Sequence, residues 1–532
     1  MSSSRLASQR ISHAICVEHL ASEVKTFHLR KKGFRIYHKT TSCTRPTLFN
    51  PNQIVDISHL SKICSINKEA QYALVEPNVT IFDLVQAVLP YGLLPKVVME
   101  FPNVTVGGAF SGASGNSSCF KFGLFEQTID WIEIVLADGR IVTASPHEHP
   151  DLFYGAAGTL GTLGIVTLLR VQCIPASPYV ELTYSPFCGA AAKDDALKQI
   201  QSEVRENRVD YVDGIIFRHN LALVMTGRLS RKRLPPGLHQ TFQQRSDPWF
   251  CMHALSLTLA QEKTTITVPI LDYLFRYDRG AFWGGNAALA YFNLPCNRLF
   301  RWALDSLLQA TALTQVIHTA KLARSFVVQD LAVPLSNASS FLSDISQILD
   351  LSERPIWLCP VTNIYHDKPT FTSSVRCPRT REPEKLIDVG LYGMSFANAE
   401  EFGNVNRALE RSLRIHGGQK ALFASSFYTE DEFWSIYDRK WYTALREKYN
   451  AASLPSVYEK VQDPTEAETG KLGLTRNDVL RARLEGQGEA TSWVVAWFWR
   501  TRPLPGVYGL IKFLVGGDYL LSKGRSVDSR RL

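Results

Sequence analysis

The sequence predicts an α+β protein of several folding units, and three observations carry that reading. Short runs with strand character recur at 54–57, 72–76, 131–137 and 164–171, without the regular strand–helix alternation of a doubly wound sheet. A stretch rich in glycine, serine and threonine, 105–118, interrupts those runs. Prolines at 175, 178 and 186 then mark a change of character, after which aromatic residues and later helical patterns dominate. At roughly 150 residues per unit, a protein of 532 residues holds about three.

Taken in order, residues 34–38 alternate like a short strand and run into a polar loop, 39–46. Strands are expected at 54–57 and 72–76. Thr80 followed by Asp83 reads as a helix start, because the Thr oxygen and the Asp can satisfy orphan amides, and the helix runs to about Leu89. After the small-residue stretch come strands at 131–137, ending in the turn Asp138-Gly139, at 141–143 and at 164–171. Residues 398–449 are patterned for helices, at 400–414 and 431–449. Residues 462–490 are polar and Glu/Gly-rich, as in a linker or an exposed helix. The expected division is 1–176, 177–397, 398–461 and 462–532.

Composition excludes several classes. Hydrophobic residues at 45% and charged residues at 20% are those of a globular protein with a large core. The balance of 58 basic against 50 acidic residues leaves only +8, and the basic clusters at 231–233 and 530–531 are not interleaved with aromatics, so no nucleic-acid partner is expected. Ten cysteines without a C-x-x-C pair form neither a zinc motif nor a disulfide framework. His147 and His149 lack a third ligand, so no metal is expected. The N-terminus carries no apolar signal core, and no window supplies the roughly 20 apolar residues of a span. The segment Trp493–Trp499, followed by Arg500 and Arg502 and by Leu510–Leu514, leaves two readings open: peripheral contact with a membrane interface, or a buried C-terminal element.

The stretch Thr105–Ser117 carries the most chemical information. Glycine lets backbone N–H groups converge on an anion and places no Cβ between backbone and ligand, as a pyrophosphate or a flat ring requires. Its spacing is neither that of a P-loop nor that of a Rossmann turn. Alone, it equally suits a structural loop. A second glycine-punctuated turn, Gly158–Gly164, feeds the strand that follows, and the polar loop Thr40–Arg45 lies upstream.

Three such loops on one α+β unit resemble the flavin-binding domain of the vanillyl-alcohol-oxidase (PCMH-type) superfamily. The runs Thr105–Phe125, Glu133–Gly139, Asp151–Tyr154 and Gly161–Gly164 resemble, more specifically, the Δ24-sterol reductase family. So do Val327–Asp330 with Val333-Pro334, Pro355–Pro360, Asp388–Gly393, Ala424–Asp438 and Tyr442–Arg446, and the resemblance spans about residues 30–460. It implies a PCMH-type FAD-binding domain of two α+β subdomains, an α+β cap with an antiparallel sheet, and a helical C-terminal block completing the active site. It also implies that FAD contacts Thr40, Thr41, Ser42, Thr44 and Arg45 in the first loop. In the second, the implied contacts are Thr105, Val106, Gly107, Gly108, Ala109, Phe110, Ser111, Gly112, Ala113, Ser114, Gly115, Asn116 and Ser117. Gly161, Thr162, Gly164 and Ile165 complete the set.

Departures from the family pattern are Asn116 in place of an acid, Phe122 in place of tyrosine, Phe120 in place of the animal histidine and Lys39 in place of glycine. The family's N-terminal membrane helix is expected to have no counterpart. His38 precedes the first loop and Phe101-Pro102 offers no thiol, so FAD is expected to be held non-covalently.

The activity implied is reduction of a C=C double bond in the tail of a sterol or related isoprenoid lipid, with NADPH as reductant and an acid supplying the proton. An unactivated alkene offers no carbonyl to polarise, so that acid must be closely placed and its pKa tuned. Glu100, Lys121, Tyr428 and Glu432 are the candidates, and each could instead serve as surface charge or a structural hydrogen bond. The aromatic run Tyr273–Trp283 would wall an apolar pocket or fill a core. The substrate is expected to be a lipophilic small molecule; no protein partner is inferable. Association with the endoplasmic reticulum membrane, facing the cytosol, follows from the resemblance, with a cytoplasmic location otherwise. A second reading is an FAD-linked oxidase or isomerase of a specialised lipophilic metabolite. A third is a flavin-free binding protein.

Overall fold

The computed structural model describes residues 3–45, 49–320, 322–323, 326–349, 354–365, 367–371, 384–395, 399–463 and 502–521. Trp493–Trp499 and nearly all of the polar region after 462 lie outside them. The fold is α+β, built on two large sheets with a cavity between them.

The first unit starts with a helix, Ser3–Leu29, which no pattern in the sequence announces. Val17, Leu20, Ala21 and Val24 form its buried face and pack across the sheet below. Its register is fixed by buried His13, whose Nδ1 lies 2.8 Å from Glu76 and Nε2 3.1 Å from Glu133. Burial opposes the charge on His13, but the bonds to Glu133 and Glu76 lift its pKa to about 9.

Next, β1 (Arg35–Tyr37) and β2 (Ile54–Asp56) form a parallel pair. They precede β3 (Ile63–Asn67), β4 (Tyr72–Val75), β5 (Leu93–Pro95), β6 (Ile129–Leu136), β7 (Ile141–Ala144) and β8 (Gly164–Pro175), which form one antiparallel sheet in the order β3-β4-β8-β6-β7, with β5 beside the end of β8. The first half of β8 is buried on both faces, which explains why its sequence is an unbroken apolar run rather than an alternation. The expected helix forms at Ile81–Val88, and Thr80 accepts the amide of Asp83 as its cap.

The glycine-rich stretch departs from the loop the sequence suggests. Val106–Gly112 is a helix, opened by Thr105, whose Oγ1 accepts the amide of Gly108 at 3.2 Å. Glycine disfavours helices. The cap and the burial of Val106, Ala109 and Phe110 in the core offset that cost.

The second sheet is antiparallel throughout and has eight strands. These are β9 (Tyr179–Cys188), β10 (Tyr211–Arg218), β11 (Leu221–Ser230), β12 (Thr264–Pro269), β13 (Phe326–Pro334), β14 (Ile356–Asn363), β15 (Glu384–Ser395) and β16 (Gln419–Lys420), in the order β12-β9-β11-β10-β14-β15-β13-β16. Helices Ala192–Glu206, Ala338–Ile348 and Ala399–Ile415 cover one face through Leu197, Ile200, Phe341, Ile345, Leu409 and Leu413. Under them lie Val327, Leu331 and Val333 of β13 and Ile387, Val389 and Leu391 of β15. Because side chains alternate along a strand, the intervening residues point to the other face, which walls the cavity.

The helix expected over 431–449 is two helices, Glu430–Ile436 and Arg439–Lys448. Asp438 breaks the run because its carboxylate accepts the amide of Trp441 and opens the second helix as an N-cap. A C-terminal helix, Leu504–Val515, packs on helix Ala310–Thr319.

Candidate active site

One cavity of about 680 Å³ brings together loop Thr40–Arg45, the glycine helix and the turn Gly158–Gly164. Backbone bonds join these parts: Gly158 donates to Phe110 O at 3.2 Å and Leu160 to Ser111 O at 2.9 Å. The first loop is anchored by residues hundreds of positions away. His318 Nε2 donates to Cys43 O at 2.7 Å, and Phe423 O accepts both Cys43 Sγ at 2.6 Å and Arg45 Nε at 3.2 Å.

Of the residues expected to contact FAD, Thr40, Thr41, Ser42, Thr44, Arg45, Thr105, Gly107, Gly108 and Ser111–Asn116 line the cavity, as do Gly161, Gly164 and Ile165. Val106, Ala109 and Phe110 instead point into the core, Ser117 is buried beside Tyr273 and Arg276, and Thr162 is bonded to Tyr442. A Cβ at Gly107 would meet Pro77 Cβ at 2.6 Å, and one at Gly161 would meet Ile36 Cδ1 at 2.6 Å, so neither position tolerates a larger residue without movement.

Three cations, Arg35, Arg45 and Lys460, line the same end. Arg35 Nε is buried with no hydrogen-bond partner among the described residues, and Lys460 Nζ donates to Leu160 O at 2.5 Å. Burial, reinforced by Arg35 and Arg45, depresses Lys460 to about 7. Clustered cations beside a small-residue surface are the donor set a diphosphate requires. The residues present therefore fit FAD.

At the opposite wall the sheet presents carboxyls. Asp330 of β13 and Asp388 of β15 face the cavity on neighbouring strands, and Tyr392 Oη donates to Asp330 Oδ1. Glu100, next to the glycine segment, joins them with Oε1 buried and unpartnered. Burial lifts Glu100 to about 8 and Asp330 to about 7. It raises Asp388 well above the carboxylate range, with repulsion from Asp330 and Glu100 adding to it. At neutral pH burial thus favours the protonated form of Glu100 and Asp388, while Asp330 is close to its midpoint.

The other candidate acids lie elsewhere. Lys121 is paired with Asp210 at 2.9 Å. Tyr428 donates to Glu410 O at 3.3 Å, and Glu432 closes the capping box of its helix with Thr429 and meets Arg407. None of these three lines the cavity, because each is spent on a structural contact. Asn116 does line the cavity, but its side chain is held by the protein: its Nδ2 donates to Val98 O at 2.5 Å and its Oδ1 accepts the Ser118 amide at 2.9 Å. From the aromatic run, Phe282 reaches the cavity, while Tyr273 and Tyr277 pack around the buried Arg276–Asp213 pair. Sequence reasoning did not single out Asp330, Asp388, Tyr392, Arg35 or Lys460. An acid set among β-branched and apolar strand residues was the available sign for Asp330 and Asp388.

A family described as an FAD binding domain matches residues 13–145. The Delta(24)-sterol reductase of Homo sapiens is 31% identical over 406 residues, covering 76% of each protein. The protein belongs to the Delta(24)-sterol reductase family. The Delta(24)-sterol reductase of Pisum sativum is 30% identical over 448 residues, 78% of this protein and 77% of the relative. Cytokinin dehydrogenase 4 of Oryza sativa subsp. japonica is more distant, 26% identical over 375 residues. As a member of the sterol reductase family, the protein is an FAD-dependent oxidoreductase.

Proposed function

We propose that this protein saturates a C=C double bond in the tail of a sterol or related isoprenoid lipid, with NADPH as reductant and FAD held non-covalently. The observation that carries this reading is the continuity of one cavity from a cation-lined, small-residue cradle to a cluster of buried carboxyls whose pKa values are raised. Bound FAD would relay a hydride equivalent from NADPH to one alkene carbon. Arg35, Arg45 and Lys460 would neutralise its diphosphate, while Gly107–Gly115 would leave room for its flat parts. Glu100 would hold the proton at Oε until the second alkene carbon takes it, and Asp330, Asp388 and Tyr392 would resupply it. Walls such as Phe282, Leu308 and Leu313 would orient an apolar tail and exclude water. The division at 176, 397 and 461 and a location at the endoplasmic reticulum membrane, facing the cytosol, belong to the same reading.

Anaerobic titration with NADPH, followed by mass spectrometry of a Δ24 sterol such as desmosterol, tests it. Flavin bleaching by NADPH and a product two hydrogens heavier are expected. Bleaching by the lipid instead, with no saturated product, would establish the oxidase or isomerase reading.

A further inference from the structure

The C-terminal helix Leu504–Val515 is attached by one side and bare on the other. Its attached side is made of small residues that allow close approach: Gly506 lies against Tyr291 and Phe292, and Gly509 against Val316 and Ala320. Val507, Ile511, Leu514 and Val515 recur at i, i+4, i+7 and i+8 and so form one stripe on the other side. Ile511, Leu514 and Val515 are 54%, 66% and 76% exposed. The polar element of this surface is basic: Lys512 is exposed, and the helix contains no acid. Helix Arg298–Ala303 has the same character, with Leu299 and Trp302 exposed beside Arg298 and Arg301.

Both helices border the cavity. Gly506 and Leu510 line it directly, and Leu294, Leu304 and Leu307, which flank Arg298–Ala303, line it too. One helix thickness therefore separates the bare apolar stripe from the apolar end of the cavity. At 12 residues and about 1.5 Å per residue, the C-terminal helix is far too short to span a bilayer of about 30 Å. Among the described residues no helix is long and apolar enough to cross a membrane. An apolar stripe on a helix whose one charged residue is an exposed lysine suits a helix lying in an anionic interface. A second copy of the protein would need roughly 800 Å² of complementary surface per partner, which a single four-residue stripe flanked by like charge does not offer.

We propose that helix Leu504–Val515, together with Leu299 and Trp302, docks on the surface of an anionic lipid bilayer, and that lipophilic substrate enters the cavity beside it. The entry half rests on the sterol-reductase reading; the docking half does not. The test is flotation of the full-length protein with phosphatidylcholine/phosphatidylserine vesicles, without sterol or NADPH, so that failure of the catalytic reading leaves it interpretable. The wild type should float with vesicles containing phosphatidylserine, and less at 0.5 M salt than at 0.1 M. Ile511→Glu with Leu514→Glu should lower the bound fraction about tenfold or more while flavin content and melting temperature stay unchanged. Val507→Asp, at the rim of the stripe, gives a milder loss and serves if the double variant misfolds. Quenching of wild-type tryptophan fluorescence by brominated lipid should weaken in Trp302→Phe. Absence of flotation, equal flotation by the variants, or a dimer in ultracentrifugation that the double variant abolishes would overturn the proposal.

Discussion

Glu100 is where environment and chemistry meet most directly. Burial holds its pKa at about 8, so under the proposed function the carboxyl would be a proton donor below that pH and a spent carboxylate above it. Alkene reduction should therefore fall as pH rises through about 8, and Glu100→Gln should reduce the rate roughly 10²-fold or more and remove that limb of the profile. Steady-state rates between pH 6 and 9.5 check both. The same shift bears on stability. A carboxyl whose folded pKa lies above its unfolded value of 4.5 favours the folded state fully below 4.5, and that contribution is lost as pH rises through 8. Glu100→Gln should accordingly melt higher, relative to wild type, at pH 9 than at pH 5, as calorimetry would show. The place of Glu100 on the cavity wall was legible in the sequence because it lies just before the glycine segment. Asp330 and Asp388 were not, although both lie in stretches that marked the family. Alternation tells that a strand has two faces; which face is roofed by helices is a tertiary fact. Lys121 and Glu432 misled for a related reason, since sequence shows a charge but not the partner that neutralises it.

At the scale of elements, the helix Val106–Gly112 depends on one hydroxyl. Thr105→Ala should cost about 1 kcal/mol. By loosening the glycine surface it should also weaken FAD binding several-fold, as a fluorescence titration of the apoprotein would show. The N-terminal helix depends on His13. Its folded pKa of about 9 against an ordinary 6.5 means that the clamp to Glu76 and Glu133 stabilises fully below 6.5 and is lost as pH rises through 9. Proteolysis or hydrogen exchange of Ser3–Leu29 should therefore accelerate across that window, and His13→Ala should make it fast at every pH. Six strands of the first unit and the capped helix at 81 could be read directly from alternation and turn residues, whereas the short β3 and β5 were not read. The helix at the N-terminus could not, because apolar residues are spread around its barrel rather than gathered on one side, and its stability comes from what it lies against.

For the whole molecule, the consequential arrangement is the facing of two sheets across one cavity. FAD bound between them should raise the melting temperature of the apoprotein in proportion to the logarithm of its concentration. Acid precipitation should leave the yellow colour in the supernatant, because no residue of the first loop is placed for a flavin bond by the sequence pattern. Lys460→Met should weaken FAD binding about tenfold near pH 6, where the ammonium is charged, and less at pH 9, since burial holds its pKa at about 7. Isothermal titration at both pH values separates the two outcomes. The chain passes from the first sheet to the second between Pro175 and Tyr179, but the closing of the cavity left no sign in the sequence, because residues some four hundred positions apart perform it.

That separation dictates an order of events during synthesis. The loop around Cys43 and Arg45 emerges from the ribosome early, yet the carbonyls it binds, at Phe423 and Lys460, are among the last parts of the described fold to appear. A nascent polypeptide halted before residue 420 holds the glycine turns but lacks the two carbonyls that anchor the first loop. The first loop can therefore take its final shape only after residue 460 has been made.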